Sequence, residues 1–128
     1  MHRMVAVVLG VVVGLLALIG FFIEGDHLLG IMNVDITLDV LRLVIAAALL
    51  VVGLAPSVPL AATRGVIIAV GAMYVLMGLL AFADPTLFGM LPTGFTGFDI
   101  GFHLIVGIAA IALGALPTRV ADAATPGR

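Results

Sequence analysis

The chain has no cysteine, so disulfides, thiolate metal sites and thiol chemistry are excluded. It also has no tryptophan and a single tyrosine. Its seven phenylalanines (Phe21, Phe22, Phe82, Phe88, Phe95, Phe98 and Phe102) gather toward one side. Phenylalanine is a weaker belt residue than tryptophan or tyrosine, so this aromatic cap reads as packing or a partner surface more than a membrane anchor. Charge is scarce as well. Charged residues make up 9% of the chain, against about 25% in an ordinary soluble domain. The net charge is −2 and there is no basic tract, which argues against nucleic acid as a partner. What the chain does have is apolar. Hydrophobic residues account for 64% of it, and the mean hydropathy is +1.43. A water-soluble fold of 128 residues could not cover that surface with so few charges, so the lipid bilayer is the expected solvent.

Four stretches are suited to crossing a bilayer, whose hydrocarbon core takes about 20 apolar residues as a helix. Residues 4–23 and 65–83 carry no charge at all. Residues 100–116 hold His103 as their one ionisable group, and residues 38–54 begin with Asp39 and Arg42. The first stretch follows Met-His-Arg and could pass for a signal peptide, but no A-x-A-like cleavage site ends it. It is read as a retained span. The expected fold is therefore all-α: a single four-helix transmembrane domain over 1–118, with a short cytoplasmic tail at 119–128.

The chain also resembles itself. Shifted by 61 positions, Arg3 falls on Arg64, Gly10 on Gly71, Phe21 on Phe82, Gly53 on Gly114 and Pro56 on Pro117. These matches suggest two tandem copies of a helical hairpin, 3–57 and 64–118, related by an axis along the membrane normal. Convergent apolar composition is the plainer alternative. With four spans, the N-terminus, the 55–59 connection and the C-terminus share one side. That side holds Arg3, Arg64, Arg119 and Arg128, and the other holds Arg42 with Glu24, Asp26, Asp35, Asp39, Asp84 and Asp99. The positive-inside rule then places both termini in the cytoplasm. The two outer connections carry the apolar runs Leu28-Leu29-Gly30-Ile31-Met32 and Leu87-Phe88-Gly89-Met90-Leu91. Both are too short to span, and are expected to lie in the interface or tuck against the bundle.

Ionisable residues at membrane depth are costly and are default candidates for function. Here they are Asp39, Arg42, Asp99 and His103, one polar cluster at the outer membrane interface. Asp39 lies three positions before Arg42 and Asp99 four before His103, so each pair shares a helix face. Two readings fit. In one, the acids favour helix starts and the basic groups snorkel outward. In the other, the four form a cluster between the hairpins that sets register or binds something at the outer mouth, with Arg42 pairing to Asp99. Gly10-x-x-x-Gly14, Gly65-x-x-x-Ala69 and Ala110-x-x-x-Gly114, with Gly71 and Gly107, are candidate positions for close helix packing. No cofactor or metal is expected. Haem held by two histidines needs a facing pair within the membrane, and His27 and His2 are poorly placed to join His103. No zinc spacing is present.

The run Asn33…Asp39-Val-Leu-Arg42-Leu-Val, then Gly53, and later Gly97-Phe-Asp99-Ile-Gly-Phe-His103-Leu-Ile-Val-Gly107 with Gly114, resembles the small four-span bacterial proteins grouped as domain of unknown function 4383. The resemblance runs from the first span to about Leu116. It implies the same fold in a bacterial cytoplasmic (inner) membrane, and it implies no activity. In that family a His-bearing helix start followed by Leu and Gly occurs in both halves. His103 and Gly107 match it. Arg42 stands where the first half usually has His, which speaks against chemistry by a His pair. The expected function is non-enzymatic: an accessory or scaffolding subunit packing against a larger membrane complex or against itself. The alternative is a small transporter or channel subunit, lined in an oligomer by Asp39, Arg42, Asp99 and His103.

Overall fold

The computed structural model describes residues 1–23, 27–30 and 32–117. Glu24, Asp26, Arg119, Arg128 and the rest of the 119–128 tail lie outside the described residues. Among those described, four helices form: α1 (His2–Phe22), α2 (Ile36–Leu54), α3 (Leu60–Ala83) and α4 (Gly97–Ala115). All four are long and apolar enough to cross a membrane, which is the architecture of a multi-pass membrane protein. Two short strands, β1 (His27–Leu28) and β2 (Met32–Asn33), pair antiparallel between α1 and α2.

Prolines set the helix boundaries at one end of the bundle. Ala55 and Leu116 both leave the helical region, at ψ 113° and ψ 134°, because each precedes a proline that disfavours helix at the residue before it. Pro59 then occupies the N-cap of α3 at φ −62°, with its ring-fixed backbone ready for a helix. As a result α3 starts at Leu60, a full turn before the sequence-expected 65.

α1 packs along α2 and α3 along α4, and the two pairs touch each other much less. Contacts within each pair recur 61 positions apart. Gly53 lies against Val7 and the Arg3 carbonyl, and Gly114 lies against Ile68 and the Arg64 carbonyl. Gly10 faces Leu49 and Leu50, and Gly71 faces Ala110 and Ile111. The arginines behave alike too. Arg3 Nη1 donates to the Ala55 carbonyl at 2.7 Å and Nη2 donates to the Val58 carbonyl; Arg64 Nε donates to the Gly114 carbonyl at 3.0 Å. Each arginine thus caps the C-terminal carbonyls of the neighbouring helix, where the helix dipole favours a cation.

The seams between the pairs hold two apolar clefts. One, of about 380 Å³, lies between α1 and α4 and includes Val5, Leu9, Phe102 and Val106. The other, of about 450 Å³, lies between α2 and α3 and includes Leu41, Val44, Met73 and Met77. Outward-facing residues are large and apolar, Ile105 at 71% exposure and Phe82 at 70% among them. Such surface is tolerable only against lipid or protein.

Gly71 and Gly107 mark the closest approach of one helix backbone to another. A methyl group at Gly107 would stand 2.7 Å from the Gly71 carbonyl oxygen and 2.7 Å from Val75 Cγ2. Gly65 has nothing within 4 Å of the same position, so it takes no part in packing here. Gly107→Ala should destabilise the fold by about 1–3 kcal/mol through overpacking. Gly65→Ala should be neutral or stabilising by up to about 1 kcal/mol. Helicity followed through unfolding in mixed detergent micelles measures both, and equal effects would contradict this packing.

Candidate functional site: a closed polar cluster beneath the loops

Asp39, Arg42, Asp99 and His103 do come together, at the end of the bundle that carries the 27–35 and 84–96 loops. All four are buried, none more than 2% exposed. Arg42 and His103 therefore point into the bundle, and the snorkelling alternative does not hold for them. Asp39 is not a cap either: Asp35 occupies the N-cap of α2.

The arrangement turns on Asn33. Its amide donates to both oxygens of the Asp99 carboxylate, each at 2.9 Å. Its carbonyl accepts Arg42 Nη1 at 2.9 Å, and the same Nη1 donates to Asp39 Oδ1 at 3.2 Å. Arg42 and Asp99 are thus joined through the Asn33 backbone; the direct pair expected from sequence does not form. The reason is local. Asp99 is the N3 residue of α4 and closes a capping box with Thr96, accepting the Thr96 amide at 2.9 Å. Its carboxylate is thereby turned to amide donors, and Asn33 supplies one more.

The Asn33 side chain is equally engaged. Its Nδ2 donates its two hydrogens to Asp35 Oδ2 at 2.9 Å and the Gly94 carbonyl at 2.8 Å, with Thr93 Oγ1 sharing one of them at 3.1 Å. Its Oδ1 accepts the Asp35 amide at 2.9 Å, an Asx-turn closure. The Asp35 carboxylate in turn accepts the amide and hydroxyl of Thr93, at 3.0 and 2.8 Å. His27 Nε2 donates to the Gly94 carbonyl at 3.1 Å. These bonds tie the first hairpin's loop to the second hairpin's loop and to the start of α4.

His103 sits behind this network. Its Nδ1 lies 2.8 Å from the Asp99 carbonyl; a carbonyl only accepts, so Nδ1 carries the proton. The ring lies among Phe95, Tyr74 and Phe102, with centroids at 4.5, 4.8 and 5.9 Å. On the other side, the Asp39 carboxylate presses on the backbone of Gly20 in α1, where a Cβ would overlap it. Arg42 Nη2 is buried and meets no acceptor among the described residues.

Sequence reasoning named the four ionisable residues as the site and missed Asn33 as its hub, with Asp35, Thr93, Thr96 and Gly20. Two signals were readable: Asn33-x-Asp35 has Asx-turn spacing, and Thr96-x-x-Asp99 has capping-box spacing. Gly20 carries no signal, since only the folded hairpin brings it to Asp39. His2 is buried at the opposite end of the bundle, in the first turn of α1, so it cannot join His103 on one ligand. Among the described residues no group of three His, Cys, Asp or Glu could hold a metal ion.

Asp99→Asn replaces an acceptor-only carboxylate with one oxygen and one NH₂ facing existing donors. It should cost about 1.5–3 kcal/mol. Because Arg42 and Asp99 share Asn33, Arg42→Leu combined with Asp99→Asn should cost less than the sum of the singles, with coupling of roughly 0.5–3 kcal/mol. Unfolding in mixed micelles measures the cycle; strict additivity would contradict the bridge.

No protein-family model, curated protein or solved structure matches the chain, so the functional argument rests on this geometry.

Proposed function

We propose that this chain is a non-enzymatic membrane protein, an accessory or scaffolding subunit that packs against a larger membrane complex or against copies of itself. The observation that carries this reading is how the polar residues are used. Asp35, Asp39, Arg42, Asp99 and His103 are all buried, at 4% exposure or less, and they are engaged with one another, with Asn33 and with the loops. Their chemistry goes into closing the bundle, so little polar surface is offered to a substrate. What the chain offers outward is apolar helix surface, the material of contacts within a membrane.

The location proposed is a bacterial cytoplasmic membrane, as the resemblance to the domain of unknown function 4383 proteins implies. Both termini face the cytoplasm in this reading. Arg3 and Arg64 at one end, against Arg42 alone among the described residues at the other, support that orientation. The contacts that recur 61 positions apart support descent from a duplicated hairpin, with halves 3–57 and 64–118.

The second reading is a transporter or channel subunit. It is favoured by one observation, the Arg42 Nη2 group buried without a partner among the described residues, which leaves one donor unused at the level of the cluster.

Purification of the tagged chain in mild detergent tests the function. A larger membrane chain recovered in fixed stoichiometry, or a defined homo-oligomer without transport activity in vesicles, is the expected result. A monomer with no partner overturns the accessory reading, and an oligomer that conducts or transports a solute moves the function to the second.

Orientation has its own test, since the chain lacks cysteine. Ser57→Cys should resist a membrane-impermeant maleimide in intact cells and react after permeabilisation. Labelling in intact cells would reverse the topology.

A further inference from the structure

Loop residues that face water normally leave part of their backbone to be hydrogen-bonded by solvent, and they carry charge on the outside. The 84–96 loop turns its amide donors inward, and its one carboxylate, Asp84, lies against the loop's own donors. Every backbone N–H from Thr86 to Thr96 finds an acceptor within the chain, Pro92 having none to place. Asp84 Oδ1 takes the Thr86 amide and hydroxyl at 2.9 and 2.7 Å, and Oδ2 takes the Phe88 amide at 3.2 Å. Thr86 Oγ1 takes the Gly89 amide. Backbone carbonyls take those of Leu87, Met90, Leu91, Gly94 and Phe95. Asp35 and Asp99 take those of Thr93 and Thr96. Amide donors satisfied from within are one part of what a segment needs where water is scarce.

The surface of these loops is apolar in the same way. Leu29 is 87% exposed, Phe88 69% and Met90 56%. Each carboxylate among the described loop residues is turned to the loops' own donors. Two of the exposed side chains are also held out at conformational cost: Leu29 has φ +52° and Phe88 φ +61°, a region that bulky residues rarely enter. Strain kept at an exposed apolar tip points to a use for that tip. The tips are continuous with the apolar outward surface of the helices. Phe88, Met90, Leu87 and Leu91 line the outer part of the α2–α3 cleft together with Val40, Val44 and Leu80, and Phe22 and Phe82 are exposed at the neighbouring helix ends.

We propose that this loop cap is a lipid-binding surface, sunk into the headgroup–acyl boundary of the membrane that the helices cross, with Leu29, Phe88 and Met90 inserted as interfacial anchors. The chain then has no outer domain standing in water over this end. The anchors supply the belt that tryptophan and tyrosine supply elsewhere, and they fix the depth at which the buried Asn33 network sits. The proposal is independent of whether a partner subunit exists, because it concerns the loops and the bilayer alone.

The absence of tryptophan from the chain allows a clean test. Phe88→Trp exchanges one exposed aromatic for another. Met90→Trp is a second reporter, outside the positive-φ positions, in case the first perturbs the loop; retained helicity checks both. Each variant is placed in phosphatidylethanolamine–phosphatidylglycerol vesicles, with iodide on both sides of the membrane or with nitroxide-labelled lipid. Emission should be blue-shifted, strongly quenched by a nitroxide near the headgroup, and at least several-fold less sensitive to iodide than N-acetyltryptophanamide in buffer. Iodide quenching close to that of the free compound would put the cap in water and overturn the proposal. Protection from both quenchers would mean that protein covers the cap, and would overturn it equally.

Discussion

A charged or polar group inside a membrane bundle must find its partners within the protein, and here the backbone of Asn33 meets that demand for two opposite charges at once. Its amide faces the Asp99 carboxylate and its carbonyl faces the Arg42 guanidinium. An arginine or aspartate placed at the centre of a membrane helix costs about 2.5–3.5 kcal/mol on insertion scales, and a hydrogen bond to a charged group returns about 1.5–3 kcal/mol. Two such bonds per charge are therefore about enough to make burial tolerable, and a single one mostly falls short. That balance explains why the loop between α1 and α2 is anchored as it is. The Asx turn at Asn33–Asp35, the pairing of His27–Leu28 with Met32–Asn33, and the bonds from Asp35 to Thr93 all serve to hold one residue in place.

The rest of the bundle follows from a division of labour. Within each hairpin, glycine lets backbone meet backbone, as at Gly71 and Gly107, and an arginine closes the far end by capping the opposite helix. Contact of this kind relies on shape and dispersion, since lipid removes the hydrophobic drive between helices. Between hairpins the packing is sparser and leaves apolar clefts on both seams. There the joining falls to the polar network at one end and, near the other, to the Thr63 hydroxyl donating to the Val52 carbonyl at 2.8 Å. A molecule so built can keep its outward surface apolar, because Asp39, Arg42 and Asp99 make their hydrogen bonds inside it.

How far this could be read from the sequence depended on the range of the interaction. The four helices were legible because uninterrupted apolar runs and flanking prolines are local signals. Arg42 and His103 were legible as a level because charge is rare in such a chain. Their direction was not: an arginine in the first turns of a membrane helix can reach the headgroups or the core, and only the position of Asn33 decides. Asn33 itself looked like an ordinary loop residue, since its role depends on Asp99, 66 positions away. The helix start at Leu60 was misplaced because polar Thr63 and Arg64 interrupt the apolar run, although they are helical and turned to neighbouring carbonyls. Gly65-x-x-x-Ala69 had the spacing of a packing motif, yet Gly65 faces outward with no neighbour.

The central claim, that the Asn33 peptide bridges buried charges, is most directly measured by hydrogen exchange of individual backbone amides in lipid nanodiscs. Asn33 lies in a short loop strand, and on local structure alone its amide should exchange quickly. If it donates to the buried Asp99 carboxylate, its protection should match that of amides in the middle of α2 and α4, and Asp99→Asn should reduce it. Exchange of the Asn33 amide at the rate of an open loop, while the helices stay protected, would contradict the account.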